Sequence, residues 1–127
     1  MLALRNPQEA YRRVDFEARI EGASPTQLVA LCFEQAESAL ASALFAHQSG
    51  NNQAKSKAMT KALAAITALQ LGVDGDHDVA AALRQFYGAS RRTLLDCALD
   101  FDVLTLDTMR RDLHEIAGAL VGAKTDS

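Results

Sequence analysis

The sequence predicts an all-α protein, built as an antiparallel up-down four-helix bundle with a short helical segment ahead of it. Among 127 residues there are 24 Ala and 17 Leu, but only nine Val and Ile together, two Pro and no Trp. Ala and Leu favour helices, whereas β-branched and aromatic residues favour strands. Apolar residues recur at three- and four-residue steps over four long stretches separated by short breaks. Short connections make sequential helices antiparallel neighbours, and the length predicts one domain over residues 1–127.

The first bundle helix is predicted from Pro25 to about Gln48. Ser24 and Gln27 match a capping box, in which each side chain accepts a hydrogen bond from the other residue's backbone N–H. The proline stands at the first helical position, where its missing N–H has no helical partner to lose. A Ser-Gly-Asn break at residues 49–51 ends this helix.

Asn51 or Asn52 is expected to cap the second helix, which ends at a break over residues 72–77. An Asp/Gly turn in this break supplies the cap of the third helix, predicted from near Asp78 to about Leu99. The predicted buried side of the third helix consists of Val79, Leu83, Phe86, Tyr87, Leu94, Leu95 and Ala98.

Asp100 or Asp102 is expected to open the fourth helix, which ends before a polar tail over residues 122–127. The bundle then occupies residues 24–121. The segment before it, residues 1–23, alternates apolar and charged side chains and is too short for an independent core helix. This segment either packs on the bundle as a detachable flap or frays.

The alanine-rich inner faces of the helices predict the shape of the bundle surface. Alanine lets helix axes approach closely but fills little volume, so we expect shallow apolar grooves between helices. Apolar grooves of this kind suit amphipathic partner helices with anchors at i, i+3, i+4 and i+7.

Charge and composition exclude several classes of partner. The net charge is −3, so no basic field indicates nucleic acid. The longest apolar run, residues 28–33, is far shorter than the ~20 residues that span a bilayer, which argues against membrane insertion. No secretion signal precedes the bundle, and Cys32 and Cys97 lie in apolar contexts without metal-ligand spacing. We therefore expect reduced, buried thiols and a cytoplasmic protein.

The sequence offers no catalytic, cofactor-binding or metal-binding pattern. His114 and Glu115 begin an HExxH-like stretch, but Gly118 stands where the second histidine is required. The aspartates at residues 74–78 lack the glycine and glutamate of a calcium loop. Neither His47 nor His114 is followed by the Lys and Gly typical of phosphotransfer domains. The predicted protein is not an enzyme, needs no cofactor and works through its surface.

Four stretches resemble the flagellar secretion chaperones of the FliS type. Residues 23–29 (ASPTQLV) are similar to the start of that family's first helix, and residues 69–74 to the end of its second. Residues 83–87 (LRQFY) and 92–96 (RTLLD) are similar to its third helix, and Tyr11 matches an upstream tyrosine. The similarity extends, with interruptions, over nearly the entire chain.

Three departures from the family pattern indicate a divergent member. Residues 32–36 read CFEQA where the family has LYDGA, and Ala89 replaces a second tyrosine of the third helix. A tryptophan often found near the family's C-terminus is missing as well. We therefore expect the contacts with cargo to differ in detail.

The resemblance implies a cytoplasmic export chaperone. Such a protein binds the disordered C-terminal segment of flagellin, prevents its premature polymerisation and delivers it to the flagellar type III export apparatus. In the family, the chaperone's N-terminal segment can occupy part of the site when cargo is absent. The candidate partner-binding residues here are Tyr11, Ile20, Ala23, Pro25, Leu28, Tyr87, Arg91, Leu94 and Leu95.

Alternative interpretations remain at this stage. Tyr11 packs against the end of the bundle as readily as it contacts a partner, and most of the third-helix candidates also fit a core role. A self-associating structural bundle would bury its apolar face in a homodimer, so the chain is expected to be a monomer or a weak homodimer. A histidine phosphotransfer domain is the least favoured alternative.

Overall fold

The computed structural model describes residues 18, 19 and 21–125, with side chains up to residue 120. Within this part of the chain there are four long helices and no strand. The helices are α1 (Pro25–Gln48), α2 (Asn52–Leu71), α3 (Asp78–Leu99) and α4 (Val103–Thr125). The predicted all-α four-helix bundle is confirmed, because turns of three to six residues join consecutive helices in antiparallel pairs.

The first two helices begin at the predicted caps. Ser24 Oγ accepts from the backbone N–H of Gln27 at 3.2 Å, and Gln27 Oε1 accepts from the backbone N–H of Ser24 at 2.8 Å. Asn51, and not Asn52, caps α2, because its Oδ1 accepts from the backbone N–H of Ala54 at 3.0 Å. Local hydrogen bonding therefore fixes both starting points.

The cap of α3 differs from the expected Asp/Gly turn. His77 Nδ1 accepts from the backbone N–H of Ala80 at 3.2 Å, so a histidine occupies the capping position. Gly75 takes a φ of 88°, which a glycine adopts readily. Arg84 of α3 donates to the carbonyl oxygens of Val73 and Gly75 and so holds the loop against the helix.

Asp102 opens α4, as one of the two expected residues. Its Oδ1 accepts from the backbone N–H of Thr105 at 3.2 Å. At the other end, the helical backbone continues through Gly122 to Thr125. The predicted end before Gly122 is therefore too early by about one turn.

The four helices surround one core, with α1 and α2 packed most closely. α4 lies against α1 and α3 lies against α2, whereas α3 and α4 approach each other only briefly. Small residues line the contact between α1 and α2 at helical spacing, namely Ala36, Ala39, Ala43, Ala46, Ala58, Ala62 and Ala65. Larger side chains fill the centre, among them Phe33, Leu40, Ile66, Tyr87, Leu94, Leu106 and Leu113.

The buried face of α3 is narrower than predicted. Its buried residues are Ala80, Tyr87, Ser90, Leu94 and Cys97. Val79, Leu95 and Ala98 were expected on this side but are exposed, Val79 at 57% and Leu95 at 47%. The buried residues recur at steps of seven, three, four and three, a stripe that leaves these three positions outside.

Helix α1 alone is long and apolar enough, by length and composition, to cross a membrane among the described helices. It also lies at the centre of the bundle, with seven residues buried against its neighbours. The core helix of a bundle has the same composition, so α1 is explained by packing.

Candidate functional site

A groove of about 440 Å³ runs between the first half of α2 and the last turns of α3. Met59, Leu94 and Cys97 are buried and form its floor. The wall on the α2 side is mostly polar, and the wall on the α3 side is apolar. They consist of Asn52, Lys55, Ser56, Thr60 and Leu63 of α2, and of Leu95, Ala98 and Leu99 of α3.

Phe101, in the turn between α3 and α4, closes one end of the groove. Its ring stacks on His47 of α1 with ring centroids 4.3 Å apart. Lys55 Nζ lies 4.8 Å from the centre of the same ring and donates to His47 Nδ1 at 3.2 Å. The turn is therefore tied to both α1 and α2, which holds this end of the groove in place.

Large apolar side chains stand exposed along the α3 wall and beyond it. Leu95 and Leu99 are one helical turn apart, with exposed fractions of 47% and 94%. Val103 and Leu104, at the start of α4 just after the turn, are exposed as well. Contiguous exposed apolar groups rimmed by polar ones mark interaction sites, so this surface is the best candidate for partner binding.

The two cysteines are unsuited to nucleophilic chemistry. Burial raises the pKa of the Cys97 thiol, and the charges of Asp96, Asp100 and Asp102 reinforce that rise against a hydrogen bond from the Asp102 backbone. Burial also raises the pKa of Cys32, which is only half-buried, so the expectation of two buried thiols holds for Cys97 alone. A thiol that stays protonated is a poor nucleophile.

Two of the predicted site residues meet in the groove and a third lies next to it. Leu94 contributes to the floor and Leu95 to the wall. Arg91, one turn before Leu95, is exposed, and its Nε donates to Thr67 Oγ1 of α2 at 3.2 Å. Arg91 therefore ties α3 to α2 at the edge of the groove.

The structure places the remaining described candidates elsewhere. Tyr87 is 2% exposed and packs against Phe33 and Phe86, so it is a core residue. Burial raises the pKa of its hydroxyl to about 12. Its aromatic character suited a partner contact, but its position on the buried stripe of α3 turns it inward.

Three further candidates lie at the opposite end of the bundle. Ala23 is half-buried, Pro25 is exposed and Leu28 is 36% exposed, all around the start of α1. The groove lies level with the other end of α1. Some twenty helical residues separate the two ends, so the groove is about 30 Å from the start of α1. Tyr11 and Ile20 lie outside the residues that the structure describes.

Sequence reasoning missed the α2 wall, Leu99 and Phe101. None of the α2 residues was among the predicted partner-binding residues, and Leu99 was considered only as the approximate end of the third helix. A strict heptad reading of α3 from Ala80 onward leaves Leu95 and Leu99 outside, and this signal was available. No pattern in the local sequence predicts that Phe101 stacks on His47.

The histidines all take part in packing or hydrogen bonds. His47 stacks on Phe101, His77 caps α3, and His114 Nδ1 lies 2.8 Å from Glu37 Oε1, which joins α4 to α1. Among the described residues, no group of three or more His, Cys, Asp or Glu is placed to hold a metal ion.

Comparison with known proteins agrees with this all-helical arrangement. A family model described as flagellar protein FliS matches residues 7–126. The flagellar secretion chaperone FliS of Salmonella typhimurium is 32% identical in an alignment of 114 residues that covers 87% of this chain and 84% of that protein. The family match extends over the groove and all four helices.

Proposed function

Because this chain belongs to the FliS family of flagellar proteins, we propose that it binds the disordered C-terminal segment of flagellin in the cytoplasm. Binding keeps flagellin from polymerising early and delivers it to the flagellar type III export apparatus. The family and the name of the Salmonella relative support the coarser role, that of a flagellar secretion chaperone. A chaperone acts by binding, so the role requires no catalytic group.

The observation that carries the proposal is the groove between α2 and α3. An amphipathic helix binds a groove through apolar side chains at i, i+3, i+4 and i+7. The buried floor around Met59 and Leu94 accepts such anchors, and the exposed Leu95 and Leu99 enclose them from one side. The hydroxyls of Ser56 and Thr60 and the ammonium of Lys55 suit the polar edge of the same helix.

The energetics of a disordered cargo fit a handover. Coupled folding and binding typically buries about 1,000–3,000 Å² and loses about 2–5 kcal/mol to the ordering of the segment. Much of the gross interaction energy is thereby offset, so the complex stays reversible. Reversibility is what release to an export machine requires.

The start of α1 is proposed as a second contact region. Ala23, Pro25 and Leu28 leave apolar surface open there, about 30 Å from the groove. A cargo segment long enough to reach both regions wraps around the bundle. Tyr11 and Ile20 are proposed to contact cargo or to compete with it from the N-terminal segment.

Calorimetry with the C-terminal peptide of the cognate flagellin tests the proposal. We expect a one-to-one complex, and Leu95→Glu combined with Leu99→Glu weakens it at least about tenfold, because charged groups replace two apolar anchors. Ala64→Glu is the matched control, since Ala64 is exposed on α2 but lines neither the groove nor the region around the start of α1.

Circular dichroism checks that each variant keeps its helix content, so that lost binding is not lost folding. No association of the wild-type chain with the peptide at tens of micromolar would contradict the proposal. Equal weakening by the control variant would contradict the assignment of the groove.

A further inference from the structure

The groove between α2 and α3 has charged borders of opposite sign. α2 carries three lysines and no acidic residue, and two of them, Lys57 and Lys61, form an exposed lysine strip one helical turn long. Asp96 and Asp100, also exposed and one turn apart, form an acidic border on α3. Arg92, one turn before Asp96, ends the acidic border. Each border is therefore short, with two charges of one sign.

The acidic border lies just beyond the exposed leucines of the α3 wall. Successive residues of an α-helix are about 100° apart around its axis. Arg91 donates to Thr67 of α2 and so marks the side of α3 that faces α2. Leu95 is then about 40° further round the helix, and Asp96 about 140°. A bound segment reaches the acidic border only by passing over the leucines, which needs the length of a lysine or arginine side chain.

The lysine strip lies in the corresponding place beyond the hydroxyl wall of α2. Thr67 marks the side of α2 that faces α3, and Thr60 and Lys57 are about 20° and 80° further round the helix. Ser56 and Thr60 line the groove, and they also line a surface depression together with both residues of the lysine strip. Lysine side chains are long enough to reach back across these small hydroxyl groups. This border therefore suits carboxylates at the edge of a bound segment.

Contacts between α2 and α3 set the two borders at the same level along the groove. Lys55 Nζ lies 4.8 Å from the ring centre of Phe101, just after α3, and Thr67 accepts the hydrogen bond from Arg91 near the middle of α3. The lysine strip begins just after the first of these contacts on α2, and the acidic border ends just before it on α3. Because the two helices are antiparallel, both borders flank the same stretch of the groove.

We propose that the groove selects a cargo helix with acidic residues along one edge and basic residues along the other, and that these edges fix the direction in which the helix lies. This selection rests on the proposed function, in which the apolar face of such a helix fills the groove. The acidic edge faces the lysine strip, and the basic edge faces the acidic border. When a helix is turned end to end with its apolar face still in the groove, its two edges change places. Each edge then meets a border of its own sign.

The apolar anchors alone do not distinguish the two directions. The anchor spacing i, i+3, i+4 and i+7 reads the same from either end, so the floor around Met59 and Leu94 accepts the helix both ways. Each exposed ion pair contributes little, but on reversal all of the pairs become like-charge contacts at once. Like charges opposed across an interface disfavour the wrong arrangement. The floor therefore supplies affinity, and the borders decide the direction.

Charge reversal on the chaperone provides the first test, by calorimetry with the C-terminal peptide of the cognate flagellin. Lys57→Glu with Lys61→Glu makes both borders acidic, and Asp96→Lys with Asp100→Lys makes both basic. Each double variant is expected to weaken peptide binding about three- to tenfold, because one edge of the helix is then repelled. The difference from wild type shrinks in about 1 M salt, where exposed charges are screened.

The control changes the charge by the same amount away from the groove. Asp112→Lys with Glu115→Lys on α4 replaces two exposed acidic residues outside the groove lining, and it is expected to bind the peptide like the wild type. Weakening by this control equal to that by the aspartate variant shows a response to net charge and overturns the selection. Unchanged binding by both groove variants overturns it as well.

The direction of binding gives the sharper test. Two designed helical peptides of identical composition carry leucines at the anchor spacing, with Glu along one edge and Lys along the other in the first, and both types mixed along both edges in the second. The wild-type chain is expected to bind the first about three- to tenfold more tightly. A photoreactive group at its N-terminus is expected to crosslink at one end of the groove only, near Phe101 or near Leu63. In the variant that combines all four charge reversals, the crosslink moves to the opposite end.

The outcomes separate this selection from the proposed function. Equal affinity for the two designed peptides, or crosslinks at the same end in both proteins, overturns the selection even when the flagellin peptide binds. Failure of the flagellin peptide to bind the wild-type chain contradicts the proposed function. The designed peptides still decide on the borders in that case, because a reversed crosslink supports the selection and an unchanged one overturns it.

Discussion

At the scale of single residues, two aspartates of the α4 region give the fold a defined response to acid. Hydrogen bonds from the backbone N–H and the hydroxyl of Thr105 hold the pKa of Asp102 below its usual range. Hydrogen bonding by Arg110, followed by the charge of Arg111, does the same for Asp107. A carboxyl whose pKa is lower in the folded state than in the unfolded state stabilises the folded state. This stabilisation is fully present above the unfolded pKa of about 3.9, and it is lost as the pH falls through the folded-state pKa.

Replacement of Asp107 tests this sign. Asp107→Asn is expected to lower the melting temperature at neutral pH, because Arg110 and Arg111 lose the carboxylate that they bind at 2.7 and 2.9 Å. The difference from wild type shrinks as the pH falls from about 4 through the lowered pKa of Asp107, below which the folded wild-type carboxyl is itself protonated. Thermal unfolding followed by circular dichroism at several pH values measures it. A difference that grows in acid would contradict the assignment, and Asp112→Asn on the same helix is the control.

Gly88 is a second residue-scale test. A Cβ at this position meets Gln70 Nε2 at 3.3 Å, and that atom is the far end of a flexible side chain that can shift. Alanine is favoured over glycine inside a helix by about 1 kcal/mol. Gly88→Ala is therefore expected to raise the free energy of unfolding, by up to about 1 kcal/mol in urea denaturation.

Gly50 provides the opposite case. Its φ is 72°, a left-handed conformation in the turn between α1 and α2. Gly50→Ala is expected to lower the free energy of unfolding by about 1–2 kcal/mol, because a Cβ clashes in that region. Equal effects at both positions would show that backbone conformation does not decide the outcome.

At the scale of elements, the alanine contact between α1 and α2 is the part of the fold least able to accept volume. Ala62 is fully buried in that contact, while Ala64, two residues on, is exposed. Ala62→Leu is expected to cost about 1–3 kcal/mol, because extra methylenes force the two helices apart. Ala64→Leu leaves stability nearly unchanged. Denaturant unfolding of both variants measures the contrast, and a tolerated Ala62→Leu would show that the helices are not closely packed.

The helices themselves could be predicted because their signals are local. Ser24 with Gln27, and Asn51, set the starts of α1 and α2 through hydrogen bonds within four residues. The last turn of α4 was missed because Gly122 weakens a helix without ending it. The cap of α3 was missed because helix N-caps favour Asn, Asp, Ser, Thr and Gly. The His77 ring nitrogen can accept the same hydrogen bond, but histidine is not among these preferred residues.

At the scale of the whole molecule, the groove depends on how α3 packs on α2, which no local pattern specifies. Leu94 and Leu95 are adjacent in sequence, yet one forms the floor and the other the exposed wall. The broad apolar stripe predicted for α3 included both residues, although a strict heptad pattern separates them. The distant α2 wall and the inward turn of Phe101 arise only from tertiary contacts. The family resemblance was found because it depends on order and spacing, and the family match confirms it.

Site-specific photocrosslinking tests most directly whether cargo lies in the groove. A photoreactive phenylalanine analogue replaces Leu99 in one variant and Ala64, which is exposed on α2 outside the groove lining, in the other. With the C-terminal segment of flagellin, we expect a strong crosslinked product from position 99 and little from position 64. A crosslink at position 64 without one at position 99 would contradict the assignment of the groove as the place where the chaperone holds its cargo.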